Sequence, residues 1–448
     1  MVDFQRTPCT ACCGLALFFG TFPTNAQVIH ETRKLTANDG AYLDYLGGSV
    51  TIEHGIIYAG ARGNNDLGVD SGSVYTFDAA TGTQLNNRTA DDGQTRDFFG
   101  SALAAFDDFL VVAADGDDNF GVDTGSAYIY NTFTGAQWNL LAPLNAATAG
   151  GFGSSVAIDH AFVGIADPMN DQQATDAGAV DLFNILSFQT IGTVFSPDPI
   201  ADDHFGHSLA MDDELLVVGA PNTGTGRAFV YNARNRDFIR ELDPGDLEAG
   251  DRFGSCVAVK GGLIAVASPS DNENGQDSGS VYLFDAATGV LLRKLIADDS
   301  APGDQFGYTI AIASPLLAVG APFDDDLGQS SGSVYIFHTD SGQQLAKAQQ
   351  SDADPYDFFG SALDLEDELL VVGHSLDDDS DFNAGAVYVF DLRCPADFTG
   401  DLALDIFDVF AFLDLFNAMD PSADFTNDGL FDIFDVFAFL DAFNAGCP

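Results

Sequence analysis

The sequence predicts an all-β seven-bladed propeller over residues 28–392, followed by a small all-α module with calcium loops over residues 394–448. The first prediction rests on a segment that recurs seven times, because a period near 50 residues is typical of a propeller or a solenoid. Each copy also contains four short runs of apolar, β-branched and aromatic residues between turns rich in Gly, Asp and Asn. The second prediction rests on a doubled acidic loop, each copy of which precedes an amphipathic helical pattern.

Small residues mark the register of the seven copies. A first glycine recurs at intervals of 53, 53, 53, 48, 53 and 53 residues: Gly47, Gly100, Gly153, Gly206, Gly254, Gly307 and Gly360. A glycine or alanine follows thirteen residues later, and a second glycine follows twenty-five residues after the first in every copy except the fourth. The fourth copy has a shorter acidic loop that ends at Gly226, which explains the interval of 48 residues.

The fifth copy shows the four predicted strands, at residues 254–261, 262–269, 279–286 and 289–298. The third strand is apolar at nearly every position, which indicates a strand covered on both faces, as in a blade stacked between two others. The seventh copy lacks its fourth strand, and residues 28–38 are similar to that strand in sequence. We therefore expect residues 28–38 to complete the last blade and to close the ring.

The chain is strongly acidic, with 16 basic against 68 acidic residues and a formal net charge of −52 in 448 residues. Such a charge disfavours nucleic acid and anionic membranes as partners and favours cations. Two explanations of the acidic side chains stay open, solvation in a salty habitat and, for some aspartates, calcium binding. Apolar residues make up 46% of the sequence, which is enough for a folded core.

The N-terminal residues 1–26 are read as a secretory signal peptide, with Arg6 before an apolar stretch and a small-x-small pattern that ends at Ala26. No later stretch has the length of an apolar transmembrane helix, so we expect an exported, extracellular protein without a membrane span. In an oxidising compartment we expect a disulfide between Cys394 and Cys447, which bound the C-terminal segment. Cys256 is read as a small buried residue rather than a nucleophile.

The long repeat resembles the FG-GAP family, known from integrin α-subunit heads and from many bacterial surface proteins. The Phe-Gly dipeptide begins at Phe99, Phe152, Phe205, Phe253, Phe306 and Phe359, with Leu46 in the first copy. Gly-Ala-Pro is intact at residues 219–221 and 320–322 and degenerate elsewhere. The resemblance implies a seven-bladed propeller and, through its many bacterial members, a protein associated with a bacterial cell surface.

Integrin-type repeats carry calcium between their first two strands, but that connection is too short here to surround an ion that takes six to eight oxygens. A second acidic loop lies between strands two and three, for example at residues 115–118, 324–326 and 377–379. It could bind divalent cations weakly, but Asp, Asn and Gly are also the residues that a long hairpin loop prefers. We favour the second explanation and expect these loops to form an acidic rim on one face of the ring.

Two acidic loops of the C-terminal segment have the spacing of calcium ligands at loop positions 1, 3, 5, 9 and 12. The candidate ligands are Asp397, Thr399, Asp401, Asp405 and Asp408 in the first loop, and Asp424, Thr426, Asp428, Asp432 and Asp435 in the second. Gly429 supplies the sharp turn at position 6 of the second loop, where the first loop has Leu402, so the second site is the more secure. Each following helix has a predicted apolar stripe: Ile406, Val409, Leu413 and Phe416, and Ile433, Val436, Leu440 and Phe443.

The doubled loop and helix resemble a dockerin, in the short cysteine-bounded form found at the C-termini of bacterial exported proteins. The resemblance implies Ca²⁺ as cofactor and a cohesin-like or other surface receptor as partner, contacted at loop positions 10 and 11 by Ile406, Phe407, Ile433 and Phe434. The other helical phenylalanines are either core or partner surface, and so small a module cannot bury them all. These are Phe410, Phe412, Phe437 and Phe439.

The sequence contains no H-E-x-x-H motif, no G-x-S-x-G motif and no phosphate-binding glycine loop. The seven histidines are read as scattered through the repeats rather than registered. We therefore predict a non-catalytic binding or display protein of the adhesion type, whose propeller binds a protein or glycan and whose tail anchors it. The alternative is a polysaccharide hydrolase with a carboxylate pair in the propeller channel.

Overall fold

The computed structural model describes residues 27–145, 151–399, 404–426 and 428–445. The predicted signal peptide, Asp401, Leu402 and Cys447 lie outside the described residues. Within these ranges no helix combines the length and the hydropathy needed to cross a membrane.

Seven sheets, the blades, follow one another along the chain, and in each blade four antiparallel strands pair in the order first to fourth. The sheet of blade 6 has a fifth strand at its outer edge. Two N-terminal strands, β1 (Gln27–Ile29) and β2 (Arg33–Leu35), belong to the last two blades. Blades 1 to 3 are then β3 (Leu46–Glu53), β4 (Ile56–Ala61), β5 (Ser73–Asp78) and β6 (Gln84–Arg88); β7 (Leu103–Phe106), β8 (Phe109–Ala114), β9 (Ser126–Asn131) and β10 (Gln137–Leu141); and β11 (Val156–Asp159), β12 (Phe162–Asp167), β13 (Ala179–Asn184) and β14 (Gln189–Val194).

The remaining blades repeat this pattern, and the first strands of successive blades lie side by side around the ring, the seventh against the first. Blades 4 and 5 are β15 (Ser208–Asp212), β16 (Leu215–Ala220), β17 (Arg227–Asn232) and β18 (Phe238–Leu242); and β19 (Val257–Lys260), β20 (Leu263–Ser268), β21 (Ser280–Asp285) and β22 (Leu291–Leu295). Blades 6 and 7 are β23 (Thr309–Ala313), β24 (Leu316–Ala321), β25 (Ser333–His338) and β26 (Gln344–Ala348); and β27 (Ala362–Glu366), β28 (Leu369–His374) and β29 (Ala386–Asp391), with β2 as the fourth strand. The predicted seven-bladed all-β propeller is confirmed.

The N-terminal segment closes the ring, but it does so on two blades instead of one. Strand β2 pairs antiparallel with β29, with Leu35 opposite Val387, and so supplies the fourth strand of blade 7 as predicted. Strand β1 pairs in parallel with β26, the outermost strand of blade 6, and Gln27 lies opposite Ala346. The expectation that all of residues 28–38 belong to the last blade is therefore wrong for the first residues. Blade 6 offers these residues the unpaired outer edge of β26.

At the joints between blades, the second glycine of one copy meets the Phe-Gly dipeptide of the next copy. The backbone of Phe306 forms a parallel bridge with Gly279 of the preceding blade, and the same bridge recurs at five other joints. Gly279 has φ +87°, and a Cβ atom there would lie 2.1 Å from the carbonyl oxygen of Phe306. Only glycine fits a position that combines a left-handed backbone with so close an approach. The Phe306 side chain is buried against Tyr335 and Phe337, which explains why the phenylalanine recurs as well.

The C-terminal segment forms two helices, α1 (Ile406–Ala418) and α2 (Ile433–Ala445), with a short 3₁₀ turn at Pro421–Ala423. Their core contains Phe412 and Phe439, whose side chains are almost wholly buried. The predicted stripes are partly right: Val409, Phe416, Val436 and Phe443 pack against this core. The other members, Ile406, Leu413, Ile433 and Leu440, are exposed. A helix of 3.6 residues per turn allows several apolar faces when most of its positions are apolar, and the aromatic rings decide which face is buried.

Candidate functional site

The acidic loops between the second and third strands have a buried structural role. In blade 6, the carboxylate of Asp324 is buried and accepts a hydrogen bond of 2.7 Å from the hydroxyl of Tyr335, eleven residues later on the third strand. The same aspartate–tyrosine pair recurs in three other blades, as Asp117 with Tyr128, Asp271 with Tyr282 and Asp377 with Tyr388. One aspartate of each of these four loops thus holds the loop to its own blade.

A lysine ammonium occupies the centre of three of these loops. The Nζ of Lys347 lies 2.7, 2.9 and 2.5 Å from carboxylate oxygens of Asp299, Asp324 and Asp326. Burial alone would lower the pKa of Lys347, but the carboxylates outweigh it and raise the pKa above the ordinary lysine value. Lys294 in blade 5 and Lys34 in blade 7 have the same kind of partners: Asp246, Asp271 and Glu273 for Lys294, and Asp352, Asp377 and Asp379 for Lys34.

The three lysines supply the positive charge that a metal ion would otherwise bring to these loops. Each lies on the fourth strand directly opposite the loop-bonded tyrosine, as Lys347 does opposite Tyr335. The ammonium has three donors and finds three carboxylates. This arrangement supports the structural explanation of the acidic loops. The three lysines share one position of the repeat, which the sequence alone shows. Their contact with the acidic loops follows only from the pairing of the fourth strand with the third strand.

A central cavity of about 680 Å³ is lined by the first strands of all seven blades. Most of its lining residues are apolar, and the others include seven carboxylates and a single lysine, Lys260. We call the channel mouth the ring formed by the last residues of the seven first strands: Glu53, Phe106, Asp159, Asp212, Lys260, Ala313 and Glu366. The mouth is therefore strongly acidic.

Four carboxylates of the channel mouth accept backbone hydrogen bonds from the next blade. Asp159 accepts from the backbone N–H of Asp213, and Asp212 accepts from that of Gly261, both at 2.9 Å. Glu53 binds the next blade in the same way, and Glu366 does so across the joint where the ring closes. Within the wall, the Asp364 carboxylate accepts from the hydroxyl of Thr51 and from a backbone N–H of blade 1. These carboxylates hold neighbouring blades together.

Two histidines at the channel mouth occupy the same position of the repeat. His54 and His160 each lie seven residues after the first glycine of their copy, in a left-handed turn with φ of 52° and 46°. The sequence interpretation that the histidines do not line up is therefore wrong for this pair. Each joins an adjacent acid and an aspartate of the next blade in a cluster whose ligand atoms lie within 4.8 Å of one another: Glu53, His54 and Asp107, and Asp159, His160 and Asp213.

The second C-terminal loop brings together oxygen atoms of positions 1, 3 and 12. The Oγ1 of Thr426 lies 2.9 Å from Asp435 Oδ1 and 3.4 Å from Asp424 Oδ1. Gly429 has φ +77°, which is the sharp turn expected at position 6, and its N–H donates to Asp424. The carboxylates of Asp428 and Asp432 accept hydrogen bonds from the backbone N–H groups of Leu430 and Phe434, respectively.

The first loop repeats this arrangement as far as the structure describes it. The Oγ1 of Thr399 lies 2.9 Å from Asp408 Oδ1 and 3.2 Å from Asp397 Oδ1. Asp405 and Asp408 form a capping box at the start of α1. Asp401, the candidate at position 5, lies outside the described residues.

The position-12 carboxylates of both loops are buried among hydrogen-bond donors without a basic side chain, because the sequence has no Lys, Arg or His after Arg393. Burial raises the pKa of Asp408, but hydrogen bonds from the backbone of Asp405 and Thr399 outweigh it and lower the pKa below the ordinary value. The pKa of Asp435 is lowered first by the backbone N–H of Asp432. Each loop therefore holds a stabilised carboxylate anion next to a second carboxylate.

The predicted partner residues lie on the exposed face of the two helices. Ile406 is 54% exposed and Phe407 63%, and the second copy repeats these values with Ile433 at 54% and Phe434 at 62%. Phe410 and Phe437 are also exposed, whereas Phe412 and Phe439 belong to the core. Of these six phenylalanines, which from the sequence alone could be core or partner surface, two are therefore core and four are exposed.

The predicted disulfide between Cys394 and Cys447 stays a prediction, because Cys447 lies outside the described residues. Cys256 has a free thiol and is half-buried, and burial raises the pKa of that thiol to about 11. This thiol is not poised for nucleophilic chemistry.

Comparison with known proteins places the repeat in a family and supports the fold. A family model described as FG-GAP repeat matches residues 29–77, 83–130, 191–231, 238–284, 291–337 and 343–390, which is more than half of the chain. No curated protein sequence matches the chain. Among solved structures, a chain of "Crystal Structure of Mitotic Checkpoint Complex" is similar with a TM-score of 0.53 and 12% identity, over 88% of this chain and 98% of that chain. At this identity the likeness concerns the fold alone.

Proposed function

Because the chain belongs to the FG-GAP repeat family, whose propeller fold is consistent with a binding or adhesion-type role, we propose that it is an exported, non-catalytic binding or display protein. Its propeller binds a protein or glycan, and its C-terminal module is a dockerin-like tail that binds calcium. The tail anchors the propeller to a cohesin-like or other receptor at the cell surface or in the extracellular space.

The observation that carries this proposal is the convergence of oxygen atoms in the two C-terminal loops. In the second loop, Asp424, Thr426 and Asp435 meet at 2.9 to 3.4 Å through the threonine hydroxyl. Neighbouring carboxylates repel each other unless a cation or a proton lies between them. Hard oxygen donors at this spacing are those that Ca²⁺ prefers. The residues present therefore fit a calcium ion.

Calcium, when bound, supplies the positive charge that these loops lack. The chain's own residues supply the rest of the site. Asp424, Asp428 and Asp435 offer carboxylate oxygens, and the left-handed Gly429 turns the loop between them. Asp435 also accepts a hydrogen bond from the backbone N–H of Asp432 at the start of α2. The same carboxylate thus belongs to the loop and to the first turn of the helix, so we expect calcium binding to stabilise the helix.

The partner surface supports the anchoring role. Ile406, Phe407 and Phe410 on α1 and their counterparts on α2 are exposed to nearly equal extents. Large exposed apolar side chains are typical of interaction sites. Because the two copies are alike, the tail offers the same apolar surface twice, and a receptor can engage either copy.

Calcium binding is tested by titration calorimetry on the mature full-length chain. We expect two sites, the second loop the tighter, and a rise in the melting temperature of the tail with calcium. Asp428→Asn should weaken the tighter site, because it removes one of the candidate carboxylate ligands. It should leave the fold intact, because the Asp428 carboxylate bonds only within the loop, to the N–H of Leu430. Asp441→Asn is the matched control, since Asp441 is exposed on α2 away from the loop. An absence of binding heat at millimolar calcium would contradict the dockerin-like assignment.

The partner is tested by capture from the envelope of the producing cell, with and without a chelator. We expect a calcium-dependent partner that is lost on Phe407→Ala combined with Phe434→Ala. Capture that is unchanged by chelator and by these substitutions would refute calcium-dependent anchoring. Mass spectrometry with and without reductant tests the proposed Cys394–Cys447 bond in the same preparation.

The second candidate function, a polysaccharide hydrolase, has one observation in its favour, the carboxylate-rich channel. However, the mouth carboxylates of Glu53, Asp159, Asp212 and Glu366 already accept hydrogen bonds from backbone groups of the next blade. A screen on glycan substrates decides between the two. Turnover that is lost on Asp212→Asn would favour the hydrolase.

A further inference from the structure

The channel mouth contains two clusters of three metal-type ligands whose carboxylates form no ion pair with a lysine or arginine among the described residues. Four clusters of this kind occur in the described part of the chain, and two of them already contain the ammonium groups of Lys347 and Lys34. The other two lie at the channel mouth, where each combines an imidazole with two carboxylates. The better enclosed of these consists of Asp159, His160 and Asp213.

The geometry of this cluster suits a single ion. His160 Nδ1 lies 2.7 Å from Asp159 Oδ2, and the ligand atoms of all three residues lie within 4.8 Å of one another. Two ligands that bind one ion at about 2.0 to 2.2 Å lie about 3 Å apart, so only small side-chain movements are needed. The ring of Phe106 lies 4.9 Å from the His160 ring and limits its rotation.

A second observation points to a missing ligand. The side chain of Asp159 is only 2% exposed and lines the central cavity, and its Oδ1 has no hydrogen-bond partner among the described residues. A buried carboxylate oxygen without a partner is costly, because it has lost water without replacing it. The hydrogen bonds from His160 and from the backbone of Asp213 both reach the other oxygen, Oδ2.

We propose that Asp159, His160 and Asp213 bind a divalent transition metal ion, of the type of Zn²⁺, which cross-links blade 3 to blade 4 at the channel mouth. Imidazole nitrogen and carboxylate oxygen are ligands that Zn²⁺ takes at short distance, whereas Ca²⁺ takes oxygen only. Three protein ligands leave a fourth position open. His160 is exposed at 62% of its side chain, so solvent reaches the cluster.

The site differs from a calcium loop contained within one blade. Its ligands come from the turns of two neighbouring blades, and the turns are too short to surround an ion by themselves. The registered cluster of Glu53, His54 and Asp107 is a looser version, because His54 Nε2 lies 3.8 Å from Glu53 and its side chain is 70% exposed. We expect this second cluster to bind the same ion more weakly.

The test is a Zn²⁺ titration of the mature full-length chain with calcium present in excess, so that the C-terminal loops are occupied. We expect a tight first site, with Co²⁺ giving the visible absorption of a tetrahedral or five-coordinate ion. His160→Asn should weaken that site by roughly tenfold or more, and Asp213→Asn should do the same. Asparagine tolerates the left-handed backbone at residue 160, so the turn is kept.

His204→Asn is the matched control, because His204 also has a left-handed backbone, with φ 54°, but belongs to none of the metal-type clusters. Its zinc affinity should equal that of the unchanged chain. If His160→Asn and Asp213→Asn bind zinc as tightly as this control, or if no zinc binds below millimolar concentration, the proposal is wrong. Displacement of the zinc by excess calcium would likewise overturn it.

Discussion

The aromatic rings of Phe412 and Phe439 stack face to face in the C-terminal module, with centroids 4.0 Å apart and planes inclined by 3°. Both side chains are almost wholly buried, and they come from equivalent positions of α1 and α2. The stack joins the two copies of the loop–helix unit, and contacts of Phe398 with Phe439 and of Phe412 with Phe425 surround it. The two rings are the largest side chains in the core of this module that are almost wholly buried.

We expect Phe412→Ala to destabilise the tail by about 3–5 kcal/mol, the usual cost of removing a buried aromatic ring. The measurement is the tail transition in differential scanning calorimetry of the full-length chain with calcium. Phe410→Ala is the control, because Phe410 is on the same helix but 55% exposed, and it should leave this transition nearly unchanged. Equal shifts for the two variants would show that the stack is not the core of the module.

The lysine of the blade-6 loop provides a second prediction. Lys347→Met should destabilise the propeller by about 3 kcal/mol, because it leaves the buried carboxylate of Asp324 without a positive charge. The more exposed Asp299 and Asp326 add little, since solvent screens them. Chemical denaturation at neutral pH measures the change. Lys260→Met serves as the control, since Lys260 is half exposed and has one ion pair at 3.4 Å, and such pairs contribute about 0–1 kcal/mol. A neutral effect of Lys347→Met would show that the loop does not need the ammonium.

Two glycines separate backbone strain from close packing. Gly279 and Gly262 have nearly the same φ, +87° and +83°. A Cβ atom at Gly279 would lie 2.1 Å from the carbonyl oxygen of Phe306, whereas a Cβ atom at Gly262 would have no neighbour within 4 Å. Gly262→Ala should therefore cost about 1–2 kcal/mol, from the left-handed backbone alone. Gly279→Ala should cost more than about 4 kcal/mol, because the joint between blades must move. Equal costs in urea denaturation would contradict this account of the repeat glycines.

The stability of the propeller should rise on mild acidification. Burial raises the pKa of Asp97 and of Asp304 to about 6, above the ordinary value near 4. The folded state therefore binds protons that the unfolded state releases, and this contribution is complete below about pH 4 and is lost as the pH rises through 6. Between pH 7.5 and pH 5 each carboxyl should add about 1 kcal/mol to the free energy of unfolding.

Thermal unfolding at a series of pH values measures this effect. The double variant Asp97→Asn with Asp304→Asn should make the profile less steep, although Asp167 and Asp357, whose pKa burial also raises to about 6, still titrate. His374 acts in the opposite direction, because burial lowers its pKa to about 4 and its contribution is lost as the pH falls from about 6.5 through 4. The comparison of the double variant with the unchanged chain removes the histidine contribution. Parallel profiles for the two proteins would show that the buried aspartates do not titrate in this range.

Much of the propeller follows from the sequence, because its repeat is marked by residues with a single backbone role. The spacing of the Phe-Gly glycines and of glycines such as Gly279 fixes where blades meet, and the strand bounds fall inside the predicted runs. The parallel pairing of β1 with β26 could not be foreseen, since an edge strand accepts any extended segment that comes near it.

Side-chain sites were harder to predict than strands. The lysines that fill the acidic loops reach them from another strand, and only the register between β25 and β26 shows that Lys347 lies beside Tyr335 and Asp324. The alignment of His54 with His160 was present in the sequence and needed only a count from the repeat glycine. In the tail, almost every helical position is apolar, so periodicity could not distinguish the buried Phe412 from the exposed Phe410.

The pairing of Leu35 with Val387 joins segments that are more than 350 residues apart. During synthesis, β2 leaves the ribosome long before β29 exists, and it stays unpaired while the first six blades are synthesised. The last blade is therefore completed only after translation has passed Asp391, and circularisation is a late, long-range step of the kind that slows folding. Until that moment the ring of blades stays open, and the outer edge of β29 has no partner strand.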